Sequence, residues 1–210
     1  MTNKQKAEKI ISLLEERYPE VKCGLDWGGE DEYKLLIMSI LSAQCTDARV
    51  NIVSKTLFER FPTACDMAKA SLEDIENEIR SVGLYHSKAR ALKECCERLV
   101  EVYGGKLPSE MKELLTLRGV GRKVANLLRG DIFNLGGIVA DTHCIRISNR
   151  LGLASGSDPL KTEKALSKLI PTEKQSDFCH RIVMFGREVC TARTPKCDEC
   201  TIKQYCEYKK

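Results

Sequence analysis

Four cysteines crowd the end of the chain: Cys190, Cys197, Cys200 and Cys206, spaced C-x6-C-x2-C-x5-C around the stretch TARTPKCDECTIKQYC. Four thiolates in so short a segment can surround a metal centre without a large hydrophobic core, while loops of unequal length fold over it. Zinc and a cubane iron-sulfur cluster both accept four cysteines. Zinc usually shows paired C-x2-C knuckles, and only Cys197 and Cys200 form one here, so the spacing leans away from zinc without deciding the metal. The chain has eleven cysteines but no charged start followed by an apolar stretch and a small-residue cleavage site, so clustered thiols point to metal ligation rather than disulfides. Cys23, Cys45, Cys65, Cys95, Cys96, Cys144 and Cys179 lack such spacing and read as small buried hydrophobes. Arg193 and Lys196 in the first loop, and Lys203 after the third cysteine, can present cations to a phosphate backbone.

With 210 residues, 42% hydrophobic and 30% charged, the rest of the chain suits one large core or two modest lobes. The longest apolar run, near Leu35 to Leu41, is too short to span a bilayer, so a cytosolic protein with no membrane partner is expected. A balance of 34 basic against 30 acidic side chains gives +4, compatible with a local basic face. Apolar residues recur at helical spacing almost throughout: Ile10, Ile11, Leu13 and Leu14; Leu36, Ile37, Ile40 and Leu41; Val50, Val53 and Leu57; Leu92, Leu99 and Val100. Breaks fall at Tyr18-Pro19, Phe61-Pro62, Gly83, Gly104-Gly105 and Gly136-Gly137. Ser71 before Asp74, and Asp158 before Pro159, mark helix starts. Only Ile138 to Ala140 looks extended, so the expected class is all-α.

The stretch LRGVGRKVANLLRG, Leu117 to Gly130, reads as helix, hairpin, helix: Glu110 to Leu117 is periodic, Arg118 to Gly121 turns, and Val124, Leu127 and Leu128 resume the period. Glycines at 119 and 121 let N-H groups at the start of the second helix approach an oxyanion such as a DNA phosphate. The dinucleotide fingerprint and the nucleotide P-loop both fail on spacing. Lys123 sits where a helix N-terminus and Arg122 both disfavour an ammonium, so its amine is expected to lose proton affinity and serve as a nucleophile able to form a Schiff base. Its plainer reading is one more solvated cation. Downstream, ADTHCIRISNR opens another helix whose N-cap is expected to be Asp141. A carboxylate bonded to helix N-H groups stays ionised and could steady positive charge or take a proton. His143 either touches phosphate or decorates the helix.

In that order, LRGVGRKVAN, VADTH and the four-cysteine run resemble the endonuclease III family of DNA repair glycosylases. The match extends upstream through LSAQCTD, Leu41 to Asp47, and GLYHSKA, Gly83 to Ala89, and so covers nearly the whole chain. The resemblance implies a two-lobed helix-hairpin-helix glycosylase fold with a C-terminal iron-sulfur loop. Its six-helix lobe would span 22–133, with the hairpin at about 110–133, and its cluster lobe would combine 1–21 with 134–210. Duplex DNA carrying damaged pyrimidines or abasic sites would lie in the cleft of a monomeric enzyme, nucleoid-associated in a prokaryote. The damaged base would be flipped out, with Gln44 filling the gap and Leu84 wedging the opposite strand. Gly119, Val120, Gly121, Arg122, His143 and Arg193 would contact DNA. Lys123 would attack the sugar C1', Asp141 would stabilise the charged sugar, and one 4Fe-4S cluster would sit on the four cysteines.

Three positions depart from the family pattern: Arg118 replaces a proline, Val124 a common threonine, and His86 a common asparagine. The adenine-mismatch relatives would lack Lys123 and carry an acid in the helix before Gln44, where Leu35 to Ala43 has none. A thymine-mismatch enzyme, or a binding module that only grips phosphate, stays open on these residues.

Overall fold

The computed structural model describes residues 1–21 and 23–208; Lys22, where the six-helix lobe was expected to begin, and the terminal Lys209 and Lys210 lie outside them. The described residues are helical, with short 3-10 turns and no strand. They form two compact units, Gly24–Phe133 and Met1–Cys23 with Asn134–Lys210. No helix among them is long and apolar enough to cross a membrane.

The continuous unit is built around α2 (Glu32–Leu41), in which Leu35, Leu36, Ile37, Met38, Ile40 and Leu41 are all buried. A helix apolar on every side has to be covered on every side, and α3 (Asp47–Arg60), α6 (Tyr85–Tyr103) and α8 (Arg122–Asp131) pack against it. Both of its buried hydroxyls are satisfied, Ser39 Oγ donating to the Leu35 carbonyl at 2.6 Å and the Tyr33 hydroxyl to the Phe61 carbonyl at 2.9 Å. Between these lie α4 (Ala64–Lys69), α5 (Leu72–Ile79) and the single turn α7 (Met111–Leu114). Ser71 caps α5 as expected. The chain leaves α6 through Gly104 at φ 60°, with Gly105 N-H donating to the Leu99 carbonyl, the left-handed exit that glycine permits. α7 is shorter than its sequence period because Leu115 already caps it.

The discontinuous unit packs α1 (Asn3–Arg17) against α10 (Pro159–Leu169) and α11 (Gln175–Glu188), and α9 (Thr142–Arg150) against the same pair. Ile10, Leu14, Ile147, Leu166, Phe178, Ile182 and Phe185 share its core. Asp158 caps α10 with Pro159 in its first turn, as the sequence predicts. Ile138 to Ala140 is not a strand: Ala140 N-H bonds the Ile138 carbonyl and Asp141 N-H the Val139 carbonyl, two tight turns that set the entry to α9. Among the unclustered cysteines, Cys95, Cys96, Cys144 and Cys179 are buried, whereas Cys23, Cys45 and Cys65 are only half-buried.

Candidate active site and iron-sulfur centre

The hairpin between α7 and α8 is pinned by Leu117 and Val120, both buried, and closed by Val120 N-H donating to the Leu117 carbonyl at 3.1 Å. Gly119 has φ 83°, which strains any other residue, and a β-carbon there would also crowd Ile40 Cγ2 at 3.0 Å. Gly121 differs. It is the N-cap of α8 with φ −88°, a conformation open to any residue, and a β-carbon on it would meet nothing within 4 Å. Its bareness serves the space in front of the hairpin rather than the turn. No side chain caps α8, no acid stands in its first turn, and Arg122 and Lys123 are exposed there. The N-H groups that open α8 and two cationic side chains thus share one exposed surface. Arg118 leans towards Glu94 on α6, Nε to Oε2 3.8 Å, an exposed pair that holds the turn only weakly.

Gln44 and Leu84 are brought together. Both are exposed, Leu84 at 60%, and both hold left-handed backbone, φ 52° and φ 61°. Left-handed geometry costs a non-glycine residue roughly 1–2 kcal/mol, and neither side chain recovers it by burial. A β-carbon on Gly83 would come 3.9 Å from the Gln44 carbonyl, so the two tips lie side by side. His86 is drawn aside, Nδ1 2.9 Å from Glu76 Oε1 with its ring against Tyr85. Beneath these tips sequence reasoning missed Lys88. It is 5% exposed, and its Nζ is buried with no hydrogen-bond partner. Desolvation lowers its pKa, opposed only by the neighbouring Cys45.

That lysine carries a stability cost with a definite pH signature. Its folded pKa lies below the unfolded 10.5, so the penalty is complete below the folded value and fades as pH rises through 10.5, above which both states are neutral. Lys88→Met is expected to stabilise the fold at neutral pH by about 1–3 kcal/mol, the cost of an unsatisfied buried donor. Thermal unfolding of wild type and variant from neutral pH to 10.5 should show the gap closing; a constant gap would overturn this account.

In the discontinuous unit Asp141 is the N-cap of α9, Oδ1 accepting the Cys144 N-H at 2.7 Å. His143, in the first turn of α9, lies against Gly186, where a β-carbon would fall 2.4 Å from its Nδ1. Arg146 Nη2 is 3.1 Å from that same Nδ1 and also donates to the Gly186 and Cys190 carbonyls. Burial lowers the Arg146 pKa.

Cys190, Cys197, Cys200 and Cys206 are all free thiols, half-buried, lining one cavity of about 400 Å³. Burial first, and then the fields of the other three thiols, push the Cys200 thiol up. Four such sulfurs become thiolates together only around a positive centre, so this donor set fits a metal cluster. Of the nearby cations, Lys196 pairs with Glu199 at 3.9 Å and Lys203 with Asp198 at 3.0 Å, while Arg193 is exposed at the loop tip. Arg146 and Arg150, one turn apart on α9, reach this loop and escaped the sequence reading; their i, i+4 spacing was its one visible sign.

Residues 37–172 match the HhH-GPD superfamily base excision DNA repair proteins, and residues 190–206 the iron-sulfur binding domain of endonuclease III. Endonuclease III of Synechocystis sp. is 42% identical, covering 98% of this chain and 93% of its own. A solved endonuclease III trapped as a covalent intermediate with DNA is 40% identical, with a TM-score of 0.91, covering 99% of this chain and 97% of its own. A thermostable thymine-DNA glycosylase is 26% identical, with a TM-score of 0.85, covering 97% and 96%. The segment 190–206 accordingly carries a 4Fe-4S cluster rather than zinc. The hairpin, the capped α9 and the cysteine loop are those of a known lineage: the chain belongs to the endonuclease III family of the HhH-GPD superfamily.

Proposed function

We propose that this chain is a bifunctional base excision repair enzyme that removes oxidised or damaged pyrimidines from duplex DNA and then nicks the abasic strand. The observation that carries the reading is Lys123, an exposed amine in the uncapped first turn of α8, directly behind the glycine hairpin. Support comes from the endonuclease III whose covalent intermediate with DNA was trapped.

The hairpin Gly119–Val120–Gly121, through the glycine N-H groups and with Val120 against the strand, holds a DNA phosphate in front of α8 together with Arg122. Gln44 enters the gap left by the flipped base and Leu84 wedges the facing strand; their left-handed backbones hold both tips out of the protein. His143 and Arg193 add contacts to the phosphate backbone. The Lys123 amine attacks C1' through its nitrogen lone pair, the C1'–N bond breaks, and the base leaves with the bonding electrons. Asp141 stabilises the positive sugar and assists the proton movements. Loss of the amine proton and ring opening give the protonated Schiff base, whose C2' proton is then abstracted. The electron pair moves into a C1'–C2' enamine and expels the 3' phosphate from C3' by β-elimination; water afterwards releases the lysine. Cys190, Cys197, Cys200 and Cys206 hold the cluster, which supplies a rigid centre about which the Arg193 loop is organised. Such an enzyme acts as a monomer in the cytoplasm, on the nucleoid if the cell is prokaryotic.

The test is to incubate the protein with a duplex bearing one oxidised pyrimidine, adding borohydride to half of each sample. A reduced protein–DNA adduct, with strand scission in the untreated half, is expected. Base release without either would leave a single-function glycosylase. A parallel duplex with a G·T mismatch addresses the likeness to the thymine enzyme, and preferential action there would replace the oxidised pyrimidine as substrate.

A further inference from the structure

Arg150, the last residue of α9, is bonded to the cysteine centre from both its ends. Its Nη1 donates to Cys190 Sγ at 3.2 Å and to the Thr191 carbonyl at 2.9 Å, and its Nη2 donates to the Ala192 carbonyl at 3.0 Å. Its own backbone carbonyl accepts from Cys206 Sγ at 3.3 Å and from the Glu207 N-H at 2.7 Å. The Tyr208 ring lies over the guanidinium, 4.3 Å from Cζ to the ring centroid. One residue therefore touches the first and the last of the four cysteines and lines their cavity.

The bond to sulfur is chemically distinct from the bonds to carbonyls. Carbonyl bonds shape a loop, and lysine or a neutral amide could make some of them. A permanent cation donating to a ligand sulfur withdraws electron density from it and favours the cluster state that carries more negative charge. Iron-sulfur potentials respond to hydrogen bonds on sulfur and to nearby charge.

We propose that Arg150 is a positioning residue that sets the reduction potential of the 4Fe-4S cluster through the Cys190 sulfur, holding the cluster in its more reduced state. The inference rests on the cluster being present. No electron transfer is assigned to the repair reaction; in the test, a soluble mediator supplies or removes the single electron.

The experiment compares wild type, Arg150→Lys and Arg150→Gln, each purified with its cluster, by redox titration followed through cluster absorption and electron paramagnetic resonance. Iron content and circular dichroism establish that each is loaded and folded. Arg150→Gln, which loses the charge, is expected to raise the oxidised-to-reduced ratio at a fixed poise about tenfold, a 59 mV fall for a one-electron couple. Arg150→Lys keeps the charge without the fork and should fall between. If Arg150→Gln does not load, Arg150→Lys alone decides by whether its potential falls. An unchanged potential in a loaded variant would overturn the proposal and leave Arg150 a loop staple, whose loss would only speed cluster breakdown. Wild type purified without iron and sulfide would instead overturn the cluster, a different failure.

Discussion

Lys123→Ala should abolish the borohydride-trapped adduct and the strand cleavage together, while duplex binding changes by no more than a few-fold. Lys123 is exposed, and its neighbours Ala125, Asn126 and Leu128 carry the packing of α8, so the variant should fold as the wild type does. Removing a nucleophile takes away the covalent route altogether, and the expected fall in base release is on the order of 10⁴-fold or more. Gel analysis with and without borohydride, beside an equilibrium binding measurement on the same duplex, separates the effects. A trapped adduct persisting in Lys123→Ala would place the nucleophilic amine elsewhere. Loss of binding in step with loss of chemistry would mean that the lysine only grips phosphate.

Asp141 needs a finer dissection because it carries a structural duty visible in the fold, its carboxylate accepting the Cys144 N-H at the start of α9. Asparagine caps helices about as well as aspartate, whereas alanine costs typically about 1 kcal/mol. Asp141→Asn should therefore keep the melting temperature while base release falls by roughly 10²–10⁴-fold, the span expected for losing a charged participant in proton movement. Asp141→Ala should lose both. Thermal unfolding and single-turnover base release on the two variants read these effects. Full activity in Asp141→Asn would reduce Asp141 to a cap.

How much of this was legible beforehand follows from how local each feature is. The caps Ser71, Asp141 and Asp158 act on N-H groups two or three residues away, so sequence alone places them. The cysteine run was equally local. Lys88 was invisible because its burial depends on what lies over α6, and a lysine within a helical period reads as solvated. Gly119 shows both sides: its turn was readable, but the Ile40 contact that would crowd a side chain comes from α2, far away in sequence. The left-handed geometry of Gln44 and Leu84 had no sequence sign either, since glycine or asparagine normally marks such positions.

The unit that houses the cysteine centre is assembled from the two ends of the chain, Met1–Cys23 and Asn134–Lys210, with the whole other unit between them. Lys6 Nζ meets the Glu207 carboxylate at 2.7 Å, so α1 is latched by a residue 201 positions further along the chain. On the ribosome α1 therefore emerges with Ile10 and Leu14 uncovered and stays so while the entire inserted unit is synthesised, many seconds at roughly 5–20 residues per second. The inserted unit can fold as it appears. The first helix cannot, so its core and the cysteine centre form only once the chain through Cys206 has left the ribosome.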